Sequence, residues 1–261
     1  ASCAPTAPRP MIASQGSAMP RVLLLGGTTE AARAAQALAD AGWDAVYSYA
    51  GRTVAPQAQP LPVRVGGFGG VEGLAAYLQA ERISHVIDAT HPFAATMSWN
   101  AVEACTMTGA ALVALERAPW VAGDGDRWTH VPDLAGAVAA LGDSPQRGFL
   151  AIGRQTLAAF AAAPQHHYLL PLVDPPDAPL PLPRTDVILA RGPFDVACDR
   201  ALMISHRIEV VVAKNAGGAG AKAKLTAARD LGLPVILIDR PEVPTRQVMR
   251  TVEAVMDWLR G

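Results

Sequence analysis

The sequence predicts an α/β fold of two Rossmann-like, open parallel-sheet domains with a cleft between them. Three observations lead there. Short apolar runs alternate with helix-forming runs along the whole chain, as right-handed βαβ units of a parallel sheet require. A glycine turn, LLLGGTTEA, stands where the first strand becomes the first helix. The alternation restarts after a polar stretch, GDSPQRG at residues 142–148, which is the best linker candidate.

The elements follow in order. RVLLL (21–25) is a continuous apolar run suited to a strand buried on both faces. TEAARAAQALADAG is a helix that stops at Gly42, a residue suited to close it. WDAVYSYAG and LPVRV are the second and third strands, and VEGLAAYLQAE is the helix after them. SHVIDAT is a strand that leads to the helix FAATMSWNAVEACTMTG, and ALVALER is a strand with the helix DLAGAVAALG beyond it. In the second half FLAIG, HHYLLPLV, DVILARG, IEVVVAKN and LPVILIDRP read as strands. The intervening helices are RQTLAAFAAA, a stretch from Phe194 to His206, AKAKLTAARDLG, and a closing helix TRQVMRTVEAVMDWLRG. The domain boundaries that result are 20–143 and 147–261. Residues 1–19, rich in Ala, Pro and Ser, read as a disordered extension without the charged start and apolar core of a signal peptide.

Composition excludes several classes. Net charge is −1 over 261 residues, so no nucleic-acid tract or anionic-membrane surface is indicated. No apolar run reaches the roughly 18 residues of a membrane helix. The three cysteines, Cys3, Cys105 and Cys198, are widely spaced and form no metal-ligand pair, which fits a reducing cytoplasm and no metal site. Arginine outnumbers lysine 19 to 3, so scattered arginines carry little information, whereas Lys214, Lys222 and Lys224 fall together.

The glycine turn offers unpaired backbone amides at the positive end of a helix dipole. Gly26 and Gly27 let a phosphate approach the backbone, and Thr28 and Thr29 can add hydroxyl donors; Thr28 or Thr29 can equally be the helix N-cap alone. The next strand discriminates between dinucleotides. An NAD site places an acid about 20 residues after the glycines, where NADP sites place an arginine. Here the strand runs into SYAGRT, with Asp44 at its start as the only acid between Trp43 and Arg52. A guanidinium fork at Arg52 suits a 2′-phosphate, so the turn favours NADPH.

Three further constellations stand at strand ends. In IDATHPFA, His91 can exchange a proton near neutral pH or simply bond backbone, and Asp88 can cap the following turn. AKNAGGAGAKAK reads as a second anion cradle, with Gly217, Gly218 and three ammonium groups suited to a polycarboxylate. Arg154 and Arg191 each follow a strand, placed to line the cleft or to face solvent.

Taken together, GGTTEAARAAQAL, DATHPFA, ALERAPW and KNAGGAGAKAKLTAARDLGLPVILIDRP make residues 20–261 resemble the precorrin-6A reductase family of cobalamin biosynthesis. Where the family pattern has serine after the Lys-Asn pair, this chain has Ala216. The resemblance implies NADPH-dependent reduction of one double bond of precorrin-6A to precorrin-6B. It implies a cofactor site at Gly26, Gly27, Thr28, Thr29, Glu30, Arg52 and Thr90. It also implies a tetrapyrrole site at His91, Arg154, Arg191, Lys214, Gly217, Gly218, Lys222 and Lys224, with His91 as proton donor, and product passed to neighbouring corrin-pathway enzymes. Two other readings stay open: a non-catalytic dinucleotide-binding module, and a two-domain sugar-nucleotide glycosyltransferase. A short-chain dehydrogenase is disfavoured because none of the four tyrosines has a lysine four residues on.

Overall fold

The computed structural model describes residues 20–50, 58–176, 178–189 and 195–261. The expected extension at 1–19, together with Arg52 and Arg191, lies outside them.

Two six-stranded sheets, every neighbouring pair parallel, make the fold. The first runs through β1 (Arg21–Leu25), α1 (Thr29–Asp40), β2 (Asp44–Tyr49), β3 (Val63–Val65), α2 (Gly70–Ala80), β4 (His85–Asp88), α3 (Ala95–Thr108) and β5 (Ala111–Leu115). The chain then crosses to the second sheet. There it forms β6 (Trp128–Val131), α4 (Leu134–Leu141), β7 (Arg147–Ala151), a 3-10 helix (Arg154–Ala162), β8 (His167–Leu172) and β9 (Thr185–Leu189). It continues through α5 (Val196–Ser205), β10 (Val210–Lys214), α6 (Ala223–Asp230) and β11 (Val235–Ile238), and crosses back for β12 (Val248–Met249) and α7 (Val252–Arg260).

Strand order is β12-β5-β4-β1-β2-β3 in the first sheet and β6-β11-β10-β7-β8-β9 in the second. Each sheet is therefore doubly wound, with its order reversing between β1 and β4 or between β7 and β10. In such sheets ligands bind outside the carboxyl ends of those strands.

The expected boundaries at 143 and 147 are corrected by this topology. Residues 128–141 belong to the second sheet, where Val235 pairs with Trp128 and Ile238 with Val131. Residues 248–260 belong to the first, where Val248 pairs with Ala114. The second sheet is thus built from the consecutive strands β6 to β11, and only the first takes a strand, β12, from the far side of it. The expected closing helix is likewise shorter: it starts only at Val252, capped by Thr251, because residues 248–249 extend to pair with β5.

Alternation along the strands fills both faces of each sheet. Val22 and Leu24 pack on Ala31, Ala35 and Leu38 of α1 and on Val255, Met256 and Leu259 of α7. Leu23 and Leu25 pack the other way, on Leu74 and Leu78 of α2 and Ala101 and Ala104 of α3. In the second sheet Leu150, Leu170 and Val212 face α4 and the 3-10 helix, while Phe149, Leu169 and Val211 face α5 and α6.

Charge ties the two crossings to each other. Glu116, just after β5, accepts from Arg240 Nη1 at 2.5 Å and Arg246 Nη2 at 2.9 Å. All three side chains are largely withdrawn from solvent. Removing one partner of such a group strands the others, so Glu116→Gln is expected to cost about 3 kcal/mol of unfolding free energy in urea melts at neutral pH. A cost below about 0.5 kcal/mol, the ordinary range for surface changes, would contradict this assignment.

Candidate functional site

The carboxyl end of β1 turns at Gly26 because only hydrogen fits there. A Cβ on Gly26 would lie 2.1 Å from Tyr47 Cζ. Gly27 takes φ +120°, a backbone that glycine alone adopts without strain. Its amide donates to Tyr47 Oη at 2.9 Å, and burial pushes the Tyr47 phenol well above its ordinary range, so it stays a neutral hydroxyl. Thr28 caps α1: its Oγ1 accepts from the Ala31 amide at 3.1 Å and donates to the Ala89 carbonyl at 2.8 Å. The hydroxyl expected to serve a ligand thus fastens the β1 turn to the end of β4. Of the first-turn amides of α1, Ala31 and Ala32 are taken by Thr28, which leaves those of Thr29 and Glu30 for a ligand, since a helix has no internal acceptors for them.

These groups open onto a cleft of about 890 Å³. Thr29, Arg33 and Gln36 of α1 form one wall. Tyr49 and Gln59 stand near the end of β2, Phe68 to Gly70 at the start of α2, and Thr90, His91 and Ala94 beyond β4. Arg64 stacks on Phe68 at 3.7 Å and donates to the Gly66 and Gly67 carbonyls at 2.7 and 3.0 Å, which fixes the rim. No carboxylate lines the cleft among the described residues, and Arg33 supplies a cation there. An open glycine turn, a helix N-terminus and an acid-free wall fit a dinucleotide. The Glu30 carboxylate turns away from this cleft and pairs with Arg117 Nη1 at 2.8 Å.

Asp88 organises the loop after β4. Its Oδ1 accepts from the Thr90 amide and hydroxyl at 3.2 and 2.7 Å, and its Oδ2 from Ser98 Oγ at 2.6 Å. His91 Nδ1 accepts from the Phe93 amide at 3.2 Å, so in the neutral ring Nε2 carries the hydrogen. Burial and then the charges of Arg117, Lys214, Arg240 and Lys224 push His91 down to about 4. The ring is therefore a neutral imidazole near neutral pH. Phe93 packs against the core of the second domain, and the Lys214 ammonium stands 5.4 Å from its ring centre.

The KNAGG segment is not an open cradle. A Cβ on Gly217 would lie 2.1 Å from the Ala118 carbonyl oxygen, and one on Gly218 would lie 2.6 Å from Arg117 Cδ. The glycines seat the crossing ERAPW segment. Asn215 Oδ1 accepts from the Trp120 amide at 2.7 Å, its Nδ2 donates to the Trp120 carbonyl at 3.1 Å, and Trp120 Nε1 donates to the Gly218 carbonyl at 2.7 Å. The three lysines also part company. Lys214 ends β10 facing the first domain, and Lys222 is exposed at the start of α6. Lys224 turns inward, donating to the Ala221 carbonyl at 2.7 Å, and burial lowers it to about 8. Arg154 is exposed at the carboxyl end of β7, on the same sheet edge as Lys214. Tyr47, Arg33, Asn215, Arg117 and Arg240 were not identified from sequence; the ERAPW motif was the available signal for Arg117. Among the described residues no His, Cys, Asp and Glu group is arranged to hold a metal ion, and no helix is long and apolar enough to cross a membrane.

Comparison with known proteins agrees with this geometry. The family model of precorrin-6x reductase CbiJ/CobK matches residues 21–260. The precorrin-6A reductase of Rhodobacter capsulatus is 68% identical over 241 residues, covering 92% of this chain and 96% of that protein. That of a Sinorhizobium species is 51% identical over 230 residues, covering 87% and 88%. A solved structure of CobK precorrin-6A reductase superposes with a TM-score of 0.89 at 68% identity, covering 93% of this chain and 96% of that one.

The state of His91 is open to measurement. An unfolded histidine takes its proton near pH ~6.5. The folded ring holds out to about 4, so its contribution to stability is complete above the unfolded value and declines as pH falls toward the folded one. An NMR titration of the ligand-free protein should find the His91 ring neutral, with hydrogen on Nε2, at about pH 5.5; half-protonation near pH ~6.5 would contradict the site described.

Proposed function

The chain belongs to the precorrin-6x reductase CbiJ/CobK family, an oxidoreductase family that works with a nicotinamide cofactor, and from that premise we propose that it reduces precorrin-6A to precorrin-6B with NADPH. The observation that carries the cofactor half is the acid-free cleft at the Gly26–Thr29 turn, with a cation on its wall. The first-turn amides of α1 hold the pyrophosphate. Arg33 on α1, with Arg52 beyond β2, receives the 2′-phosphate, where an NAD site would present a carboxylate. The macrocycle lies between the sheets, with Lys214 and Arg154 on one sheet edge to meet its acetate and propionate groups. Arg191 is a further candidate for that role from sequence alone.

Bound NADPH supplies the hydride, and a proton completes the reduced C=C bond. The chain's part is placement: near-attack geometry accounts for about 7–11 kcal/mol in favourable cases. Tyr47 and Thr28 fix the turn, while Phe93 and Lys214 bring the second domain against the cleft mouth. His91 bears on the proton. Substrate carboxylates offset the cations around it, which raises its affinity for a proton when substrate arrives and makes it a donor in the complex.

Calorimetry and anaerobic absorbance test this together. NADPH should bind at least about tenfold more tightly than NADH, Arg33→Ala should narrow that ratio, and NADPH with precorrin-6A should change the macrocycle spectrum. Equal affinity for the two dinucleotides would remove the NADPH assignment. An unchanged spectrum with NADPH bound would remove the reaction.

A further inference from the structure

Arg117 touches both domains. Its Nη1 pairs with Glu30 Oε2 at 2.8 Å, and its Nε donates to the Ala216 carbonyl at 2.7 Å. Glu30 belongs to the first turn of α1, whose amides face the cleft. Ala216 lies two residues beyond Lys214 and also accepts from Arg240 Nη2 at 3.1 Å. Gly218 has no side chain where Arg117 passes. The Arg117 and Glu30 side chains are only 20% and 24% exposed, so solvent screens the pair poorly.

Two physical effects meet here. Glu30 is a carboxylate within one turn of the amides that would hold a pyrophosphate, and it repels that anion unless its charge is cancelled. The same guanidinium that cancels it pins the loop carrying Lys214. Arg240 and Arg246 do not take over this duty, since both are paired with Glu116.

We propose that Arg117 is a positioning residue with two separable duties: it neutralises Glu30 so that α1 accepts the dinucleotide, and it anchors Ala216 so that the second domain holds the substrate in register with the cofactor. This rests on the NADPH-dependent reading above.

Three variants separate the duties by NADPH binding and by kcat and KM for precorrin-6A. Arg117→Met leaves Glu30 unpaired, so NADPH affinity should fall about fivefold at low salt, with the gap narrowing as salt rises. Its kcat should fall about tenfold or more because the loop shifts. Arg117→Lys keeps the charge without the fork, so NADPH affinity should stay within about twofold while kcat still falls. In Glu30→Gln/Arg117→Met the repulsion is gone, so NADPH affinity should recover to within about twofold of the unaltered protein while kcat stays low. A merely structural arginine would not give affinity that returns without turnover. The proposal is overturned if Arg117→Met changes neither quantity by more than about twofold, or if affinity and kcat fall and recover together across the set. If the unaltered protein itself ignores NADPH, the functional reading and this inference fail together; if it binds NADPH and the variants do not split, this inference fails alone.

Discussion

Glu116 holds the two guanidinium groups that meet where the chain crosses between its sheets. Arg240 comes from the segment after β11 and Arg246 from the approach to β12, while Glu116 itself leaves β5. The first sheet receives its sixth strand, β12, across this junction, so the first domain is complete only when the chain has crossed back. Backbone atoms join in: Arg240 Nε donates to the Asn215 carbonyl at 2.9 Å and its Nη2 to the Arg117 carbonyl at 2.9 Å, and Arg250 Nη1 donates to the Glu116 carbonyl at 2.9 Å. A charge cluster this far from solvent is stable only with every partner in place.

That junction makes two sheets of matching topology unequal. Outside the first, the turn after β1 leads to a capped α-helix, and a Cβ at Gly27 would meet nothing within 4 Å. Outside the second, the turn after β7 leads to a 3-10 helix without a side-chain cap, and the turn after β10 is covered by the ERAPW crossing. The open turn suits a dinucleotide. The covered one presents Lys214 at a fixed place instead. Burial of His91 and the cations gathered around it follow from the same packing, and together they keep the ring neutral.

Much of this was readable beforehand. RVLLL, SHVIDAT and IEVVVAKN announced buried parallel strands because strands covered on both faces are continuously apolar. GGTTE announced an open glycine turn at the carboxyl end of the first strand because position and glycine chemistry coincide there. The failures have physical causes. RWTHV and the two residues Val248 and Met249 are too short to show a period, so the early start of the second sheet and the return of the chain to the first were invisible. Gly217 and Gly218 looked like a cradle because composition cannot distinguish a glycine that admits a ligand from one that admits another stretch of the same chain. Glu30 and Lys224 were assigned by motif; their actual partners, Arg117 and the Ala221 carbonyl, depend on tertiary contacts and on a tightly turned helix start.

A crystal structure of the protein with NADP⁺ tests the central claim, that the dinucleotide takes the first sheet's turn while the crossing covers the turn after β10. The account predicts the pyrophosphate on the amides opening α1, the adenosine phosphate beside Arg33, and the Gly217–Gly218 turn still covered by Arg117 and Ala118. Density for the dinucleotide at the Gly153–Arg154 turn, or a second-sheet loop vacated by the crossing segment, would contradict it.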